Sequence, residues 1–153
     1  MARCQVKMPD DFALKLSKIE HNISGITEKV VEAGGKVALE ITRDELDSAI
    51  GGTKFESRST GELQSALGVS PVSVSKKGMV NVKIGFNEPR RRQYRAKNKR
   101  SYNELTNAMI ANVIEYGKSG QPAKPFMARA KKKALRLCKK AMAETFDKEV
   151  NKL

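Results

Sequence analysis

The amino-acid sequence predicts an α+β protein: a long N-terminal helix, a small antiparallel sheet built on a hairpin at about 70–86, and C-terminal helices packed on that sheet. Three observations predict it. Apolar residues recur at helical spacing from Ile19 to Ile41, alternate with polar ones from Val72 to Ile84, and return to helical spacing between Leu105 and Leu153. With 153 residues, the chain has the length of one compact domain and can bury ~70% of its unfolded surface, so it is read as a single domain over 1–153. Its hydrophobic fraction of 39% reaches an ordinary value once the 11 glycines are counted, which favours folding over disorder.

In the first segment, Ile19, Ile23, Ile26, Val30, Ala33, Val37 and Ile41 follow spacings of 4, 3, 4, 3, 4 and 4, which keep them on one helical face. Gly34-Gly35 interrupts the pattern at ~1 kcal/mol per glycine relative to alanine and marks a kink or a close approach to a neighbour. Asp10 stands where a helix cap belongs and Gly51-Gly52 where a helix stops, giving helix over about 10–20 and 24–50. Gly61 to Leu67 suits a short helical turn. Val72 and Val74, then Val80, Val82 and Ile84, alternate with Ser73, Ser75, Asn81 and Lys83, and Lys76-Lys77-Gly78-Met79 reads as the hairpin connection. One face of that hairpin is apolar and needs a helix over it.

Residues 87–103 carry Pro89 and seven cations without an apolar period, and read as an exposed, flexible basic loop. Leu105, Met109, Val113 and Tyr116 then define a helix over about 102–116, closed by Gly117, with residues 118–125 as a turn-rich connector. Leu135, Cys138, Met142, Phe146, Val150 and Leu153, at spacings of 3, 4, 4, 4 and 3, predict a long C-terminal helix whose stripe covers the sheet.

Charge is distributed unevenly. The formal net charge is +13, with an isoelectric point near 9.9. Residues 1–86 hold 12 basic and 11 acidic groups, residues 87–140 hold 16 and 3, and residues 141–153 hold 2 and 3. The whole excess therefore lies in the middle window. One cluster is Arg90, Arg91, Arg92, Arg95, Lys97, Lys99 and Arg100; a second is Lys131, Lys132, Lys133, Arg136, Lys139 and Lys140.

No catalytic constellation accompanies this charge. His21 is the one histidine, on a polar stretch, and offers little to a nucleophile. With only Cys4 and Cys138 beside it, neither a disulfide framework nor a zinc site has support. Asp10-Asp11 and Asp44-Glu45 fall in helical segments near cations, where capping and surface pairing explain them. The glycine pairs fit no phosphate-binding loop, and Cys138 lies on an apolar stripe, where a small buried hydrophobe is expected. The reading is a non-enzyme with no catalytic residue, no metal and no cofactor.

Clustered cations attract phosphate through counterion release, so the first cluster is the candidate for contact with DNA or with a protein partner. A solvated cationic surface, or one that meets an acidic subunit, remains an equal alternative. Sequence-specific readout lacks a signature: no helix-turn-helix, recognition-sheet or basic-zipper pattern is present. A membrane-surface helix is the weaker reading of the second cluster, because Glu144, Asp147 and Glu149 dilute its face. The N-terminal MARCQVKMPDDF lacks a secretory apolar stretch, and no run of 18 apolar residues occurs, so a soluble, cytosolically made chain with reduced thiols and no membrane contact is expected.

One further pattern carries a resemblance. Ile114-Glu115-Tyr116-Gly117 followed by Pro122-Ala123-Lys124-Pro125-Phe126 resembles the "hydrophobic–Glu–aromatic–Gly" turn and "Pro–Ala–basic–Pro–Phe" step of a family of bacteriophage tail-component proteins. Those are the neck or tail-completion proteins of long-tailed phages and prophages. Thr60-Gly61-Glu62-Leu63-Gln64-Ser65 is similar to a family "Thr–Gly–x–Leu–x–x–Ser" segment, with Ser65 one place early. The order of elements matches over roughly residues 20–150, while the 87–103 loop is longer and more basic than the family's usual connection.

The resemblance implies a structural protein acting in head–tail joining and tail assembly. It implies a homo-oligomeric ring, other phage neck and tail proteins as partners, and a location in the host cytoplasm before assembly and in the virion afterwards. A nucleic-acid-binding accessory protein that uses the 87–140 window is the alternative. Within the motif, Gly117 suits a left-handed helix end, Pro125 a first helical turn and Phe126 an anchor on the sheet. Glu115 is expected to pair with Lys124 or Arg129.

Overall fold

The computed structural model describes residues 10–51, 59–88 and 106–152. Their order is α1 (Asp10–Gly51), α2 (Glu62–Ala66), β1 (Leu67–Val69), β2 (Ser73–Val74), β3 (Val80–Asn81), β4 (Ile84–Phe86), α3 (Asn107–Tyr116) and α4 (Phe126–Val150). The class is α+β, as the sequence predicts.

α1 runs 42 residues without interruption, about 63 Å at 1.5 Å per residue. The break expected between residues 20 and 24 does not occur. Glu20-His21-Asn22 contains neither glycine nor proline, so its polarity costs little helix propensity. Asn22 and Thr27 also fold their side chains back onto the helix, donating to the carbonyls of Lys18 at 2.9 Å and Ile23 at 2.7 Å.

α4 lies antiparallel along α1. Glu45 meets Arg129 and Lys133 at one end, Gly34 meets Cys138 midway, and Lys29 meets Glu149 at the other. The first four turns of α1 consequently extend past the end of α4, and every described side chain from 11 to 25 there is exposed apart from the half-buried Ile19. The buried stripe of α4 is Phe126, Ala130 and Ala134, continued by the half-buried Cys138 and Met142.

That stripe corrects the expected one. Leu135 is 62% exposed and Phe146 also faces outward, because the inward positions are taken by alanine, which lets two helix backbones approach more closely than leucine does. Most of the stripe covers α1 rather than the sheet. The C-terminal helices pack on the sheet through α3 and through Phe126, whose ring meets that of Phe86 edge-on with centroids 6.4 Å apart.

The four strands form one interrupted hairpin. Leu67, Gly68 and Val69 pair antiparallel with Phe86, Gly85 and Ile84, and Ser73 and Val74 pair with Asn81 and Val80. Residues 70–72 therefore oppose only 82–83, which is a bulge. Ser70 bridges it, its N–H donating to the Lys83 carbonyl at 2.8 Å and its hydroxyl accepting from the Lys83 N–H at 2.9 Å. Pro71, without an N–H, sits where no ladder bond is needed. The hairpin closes at Ser75 and Met79, with Gly78 at φ 76°, the left-handed position that a three-residue connection requires. The bulge re-aims β2, so Val74, expected on the apolar face, is 64% exposed.

The core gathers at the C-terminal end of α1. Leu46 and Phe126 are completely buried there with Ala49, Leu63, Leu67 and Ala111, flanked by Ile84, Phe86, Ile110 and Ile114. Gly34 and Gly35 resolve the expected kink or close approach in favour of the second. A Cβ on Gly34 would lie 2.9 Å from Met142 on α4, and one on Gly35 would lie 2.8 Å from Val82 on the hairpin.

The two glycines differ in what surrounds them. Met142 is flexible and can withdraw, so Gly34→Ala is expected to be near neutral, the helix-propensity gain of ~1 kcal/mol offsetting the adjustment. Val82 is stiff and wedged against the helix, so Gly35→Ala is expected to destabilise by ~1–3 kcal/mol. Urea unfolding of the two variants checks the order, and equal midpoints would contradict it.

Candidate interaction surface

The residues of the two motif segments, far apart in sequence, converge on the end of α1. In the first segment Gly61, at φ 73°, precedes α2, and its N–H donates to the Ser59 hydroxyl at 3.3 Å. Leu63 then enters the core, while Gln64 donates to Asp47 of α1 at 3.0 Å. Thr60 stays exposed.

The second segment begins with α3, capped by the Thr106 hydroxyl, which accepts from the Met109 N–H at 3.1 Å. α3 ends at Gly117, with φ 77° and ψ 179°. This is a conformation open essentially to glycine alone, and it is extended rather than the left-handed helical one expected. A Cβ there would also lie 2.8 Å from the Gln121 oxygen and the Ala123 nitrogen. Lys118 and Gln121 close the turn with two backbone bonds, and the Lys124 N–H then returns to the Ile114 carbonyl at 2.7 Å.

Two charged side chains tie this connector to its surroundings. Glu115 accepts from the backbone N–H groups of Met127 at 2.8 Å and Ala128 at 3.1 Å. It thereby supplies the cap and the negative charge that an α4 N-terminus favours and that Pro125, as its N-cap, cannot provide. The partners expected for it, Lys124 and Arg129, are engaged elsewhere. Lys124 donates to the Ala49 carbonyl at 2.7 Å, in the last turn of α1, and Arg129 pairs with Glu45 at 2.8 Å.

Of the motif residues, Leu63 and Phe126 are core, Gly61, Gly117 and Pro125 shape turns, and Glu115 caps a helix. Pro122 and Ala123 lie exposed on the connector. Tyr116 is 78% exposed on the rim of a shallow groove of about 250 Å³ that Phe86, Asn112, Glu115 and Met127 help to line. The groove is mostly apolar and offers contact area rather than reactive chemistry.

The cations divide into two groups. Glu45, expected at the surface, is instead buried, and it accepts from both Arg129 and Lys133. The Lys133 ammonium first, then the Arg129 guanidinium, holds its carboxyl below the usual carboxylate range. Glu149 is lowered in the same way, first by Lys152 and then by Lys29. Sequence reasoning had a signal for Glu45: it lies four residues beyond Ile41, on the inward face of α1. Lys131, Lys132, Arg136 and Lys139, by contrast, are exposed and make no ion pair with the described residues.

Cys138 donates its S–H to the Gly34 carbonyl at 3.3 Å, and burial pushes its thiol pKa up, consistent with a packing role. The first basic cluster, Arg90, Arg91, Arg92, Arg95, Lys97, Lys99 and Arg100, lies outside the described residues, as does most of the expected loop. Among the described residues, no three His, Cys, Asp or Glu side chains gather in a metal-binding arrangement, and no helix is long and apolar enough to cross a membrane. The chain matches no protein-family model, no curated protein and no solved structure.

Glu45 yields a pH prediction. Folding lowers its pKa, so the pairing stabilises the fold above the ordinary carboxylate range, and that contribution is lost as pH falls through the lowered value. Glu45→Gln is expected to melt below the parent at neutral pH, with the gap closing in acid, below about pH 4. Melting curves from pH 7 down to pH 2 check this, and a gap independent of pH would contradict it.

Proposed function

We propose that the chain is a non-enzymatic structural component of a phage or prophage virion, a neck or tail-completion protein that acts in head–tail joining and assembles as a ring of subunits. The observation that carries this reading is the convergence of the motif residues on one junction: Leu63 and Phe126 share a core, while Glu115 and Gly117 fix the step between α3 and α4. A motif built this way holds a helical frame in one shape, with Phe126, Glu115 and Lys124 engaged within it and Tyr116 left outward, which suits a subunit that docks on neighbours. The exposed Tyr116 and the outer cations of α4 are the surfaces such docking would use. In this role the protein resides in the host cytoplasm before assembly and in the virion afterwards.

A second reading, a nucleic-acid-binding accessory protein, is favoured by the exposed row of cations on α4. Electrostatic binding of that kind weakens steeply with salt, and an absence of duplex DNA binding at low salt would dismiss it. For the first reading, a prophage deleted for this gene is expected to yield filled heads and separate tails in electron micrographs of the lysate, with virions restored by supplying the gene in trans. Joined virions at the parental frequency would sink the reading.

A further inference from the structure

We infer that copies of this chain join head to tail, the cationic outer face of α4 on one copy meeting the acidic outer face of α1 on the next. The inference deepens the reading of the chain as a ring subunit and rests on it. Its basis is a separation of charge across a pair of packed helices. α1 carries nine acidic and five basic residues, and α4 carries three and eight. Their inward faces are spent on each other, so the charge that remains faces opposite ways.

On α1, Glu28, Glu32, Glu40, Asp44 and Asp47 are exposed. Lys29, Lys36 and Arg43 are the cations beside them; Lys29 is paired with Glu149 of α4 and Lys36 with Glu32 at 2.8 Å, while Asp47 also accepts from Gln64. On α4, Lys132, Arg136 and Lys139 point away from the Ala130–Ala134 stripe, and no acidic residue occurs between Arg129 and Ala143. Spacing matches as well as sign. Lys132, Arg136 and Lys139 are separated by four and three residues, and so are Glu40, Asp44 and Asp47. Each triplet therefore forms a row along one side of its helix.

Neither row can satisfy the other within one molecule, because α1 and α4 themselves stand between them. A second copy supplies what is missing on each side. The contact uses two different patches, so it is heterologous and propagates from copy to copy, closing into a ring where the rotation permits. Leu135, exposed beside the cationic row, adds apolar area to the contact. Exposed ion pairs are individually weak and screened by salt, so association should be favoured by high local concentration and low ionic strength. The matching acidic row on the same chain is what favours a second copy over nucleic acid as the occupant of α4.

Sedimentation velocity of the full chain tests this with two triple variants, K132E/R136E/K139E and E40K/D44K/D47K, and with glutamine in place of each reversed residue should a reversal fail to fold by circular dichroism. The wild type is expected to associate at low salt and dissociate as salt rises. Each variant alone is expected to remain monomeric at ten times the concentration at which the wild type assembles. An equimolar mixture of the two should assemble again, because each reversed face then finds its complement. Association of either variant like the wild type, a mixture that stays monomeric, or a wild type that is monomeric unless duplex DNA is added would each overturn the inference. None of those outcomes bears on the joining of heads to tails, which the prophage deletion decides separately.

Discussion

The close approach of α1 to its two neighbours is the constraint from which the rest of the structure follows. Gly34 and Gly35 leave no room for a side chain on either side of the helix, one facing Met142 and the other Val82. Ala130 and Ala134 make the same concession from α4. Small residues at a contact allow backbones to come together, and a packed interior fixes the register at which they do. With that register set, Glu45 falls opposite Arg129 and Lys133, Phe126 falls among Leu46, Leu63 and Leu67, and Cys138 reaches the Gly34 carbonyl.

The same register decides which cations are paired. Glu45 engages Arg129 and Lys133, and Glu149 engages Lys29 and Lys152. What remains on α4 is a row without partners among the described residues, displaced from the buried stripe by about half a turn. The cationic character of the helix is thus divided by geometry: Arg129 and Lys133 are paired with a buried carboxylate, and Lys132, Arg136 and Lys139 face outward without an ion pair to the described residues.

Much of the architecture was legible in the sequence because its periods are clean. The alternation of Val80, Val82 and Ile84 and the Lys77-Gly78 connection located the hairpin, and the spacing from Ile19 to Ile41 located α1. What escaped has physical causes. The α4 stripe was misread because alanines carry the contact, and counting large apolar residues selects Leu135 and Phe146 one position around the helix. Val74 was misplaced because a bulge changes the facing of a strand without altering its composition. The Glu45 site was hidden because a carboxylate on an inward face looks like a surface residue until its partners, more than eighty positions away, are brought beside it. Glu115 was recognised as important, yet its partners are backbone amides, which no side-chain pattern announces.

The N-terminal overhang of α1 gives one continuous helix two thermodynamic regimes. From Ile26 onward, each turn is held by neighbours across an interface, and its opening is tied to the cooperative unit that contains the core. From Asp11 to Gly25 no interface with the described residues buries a described side chain beyond the half-buried Ile19, and isolated helices of that length are marginal in water. One helix thus joins a stretch anchored on the core to an overhang, and a partner that grips the overhang would add cross-interface contacts that the described residues do not supply.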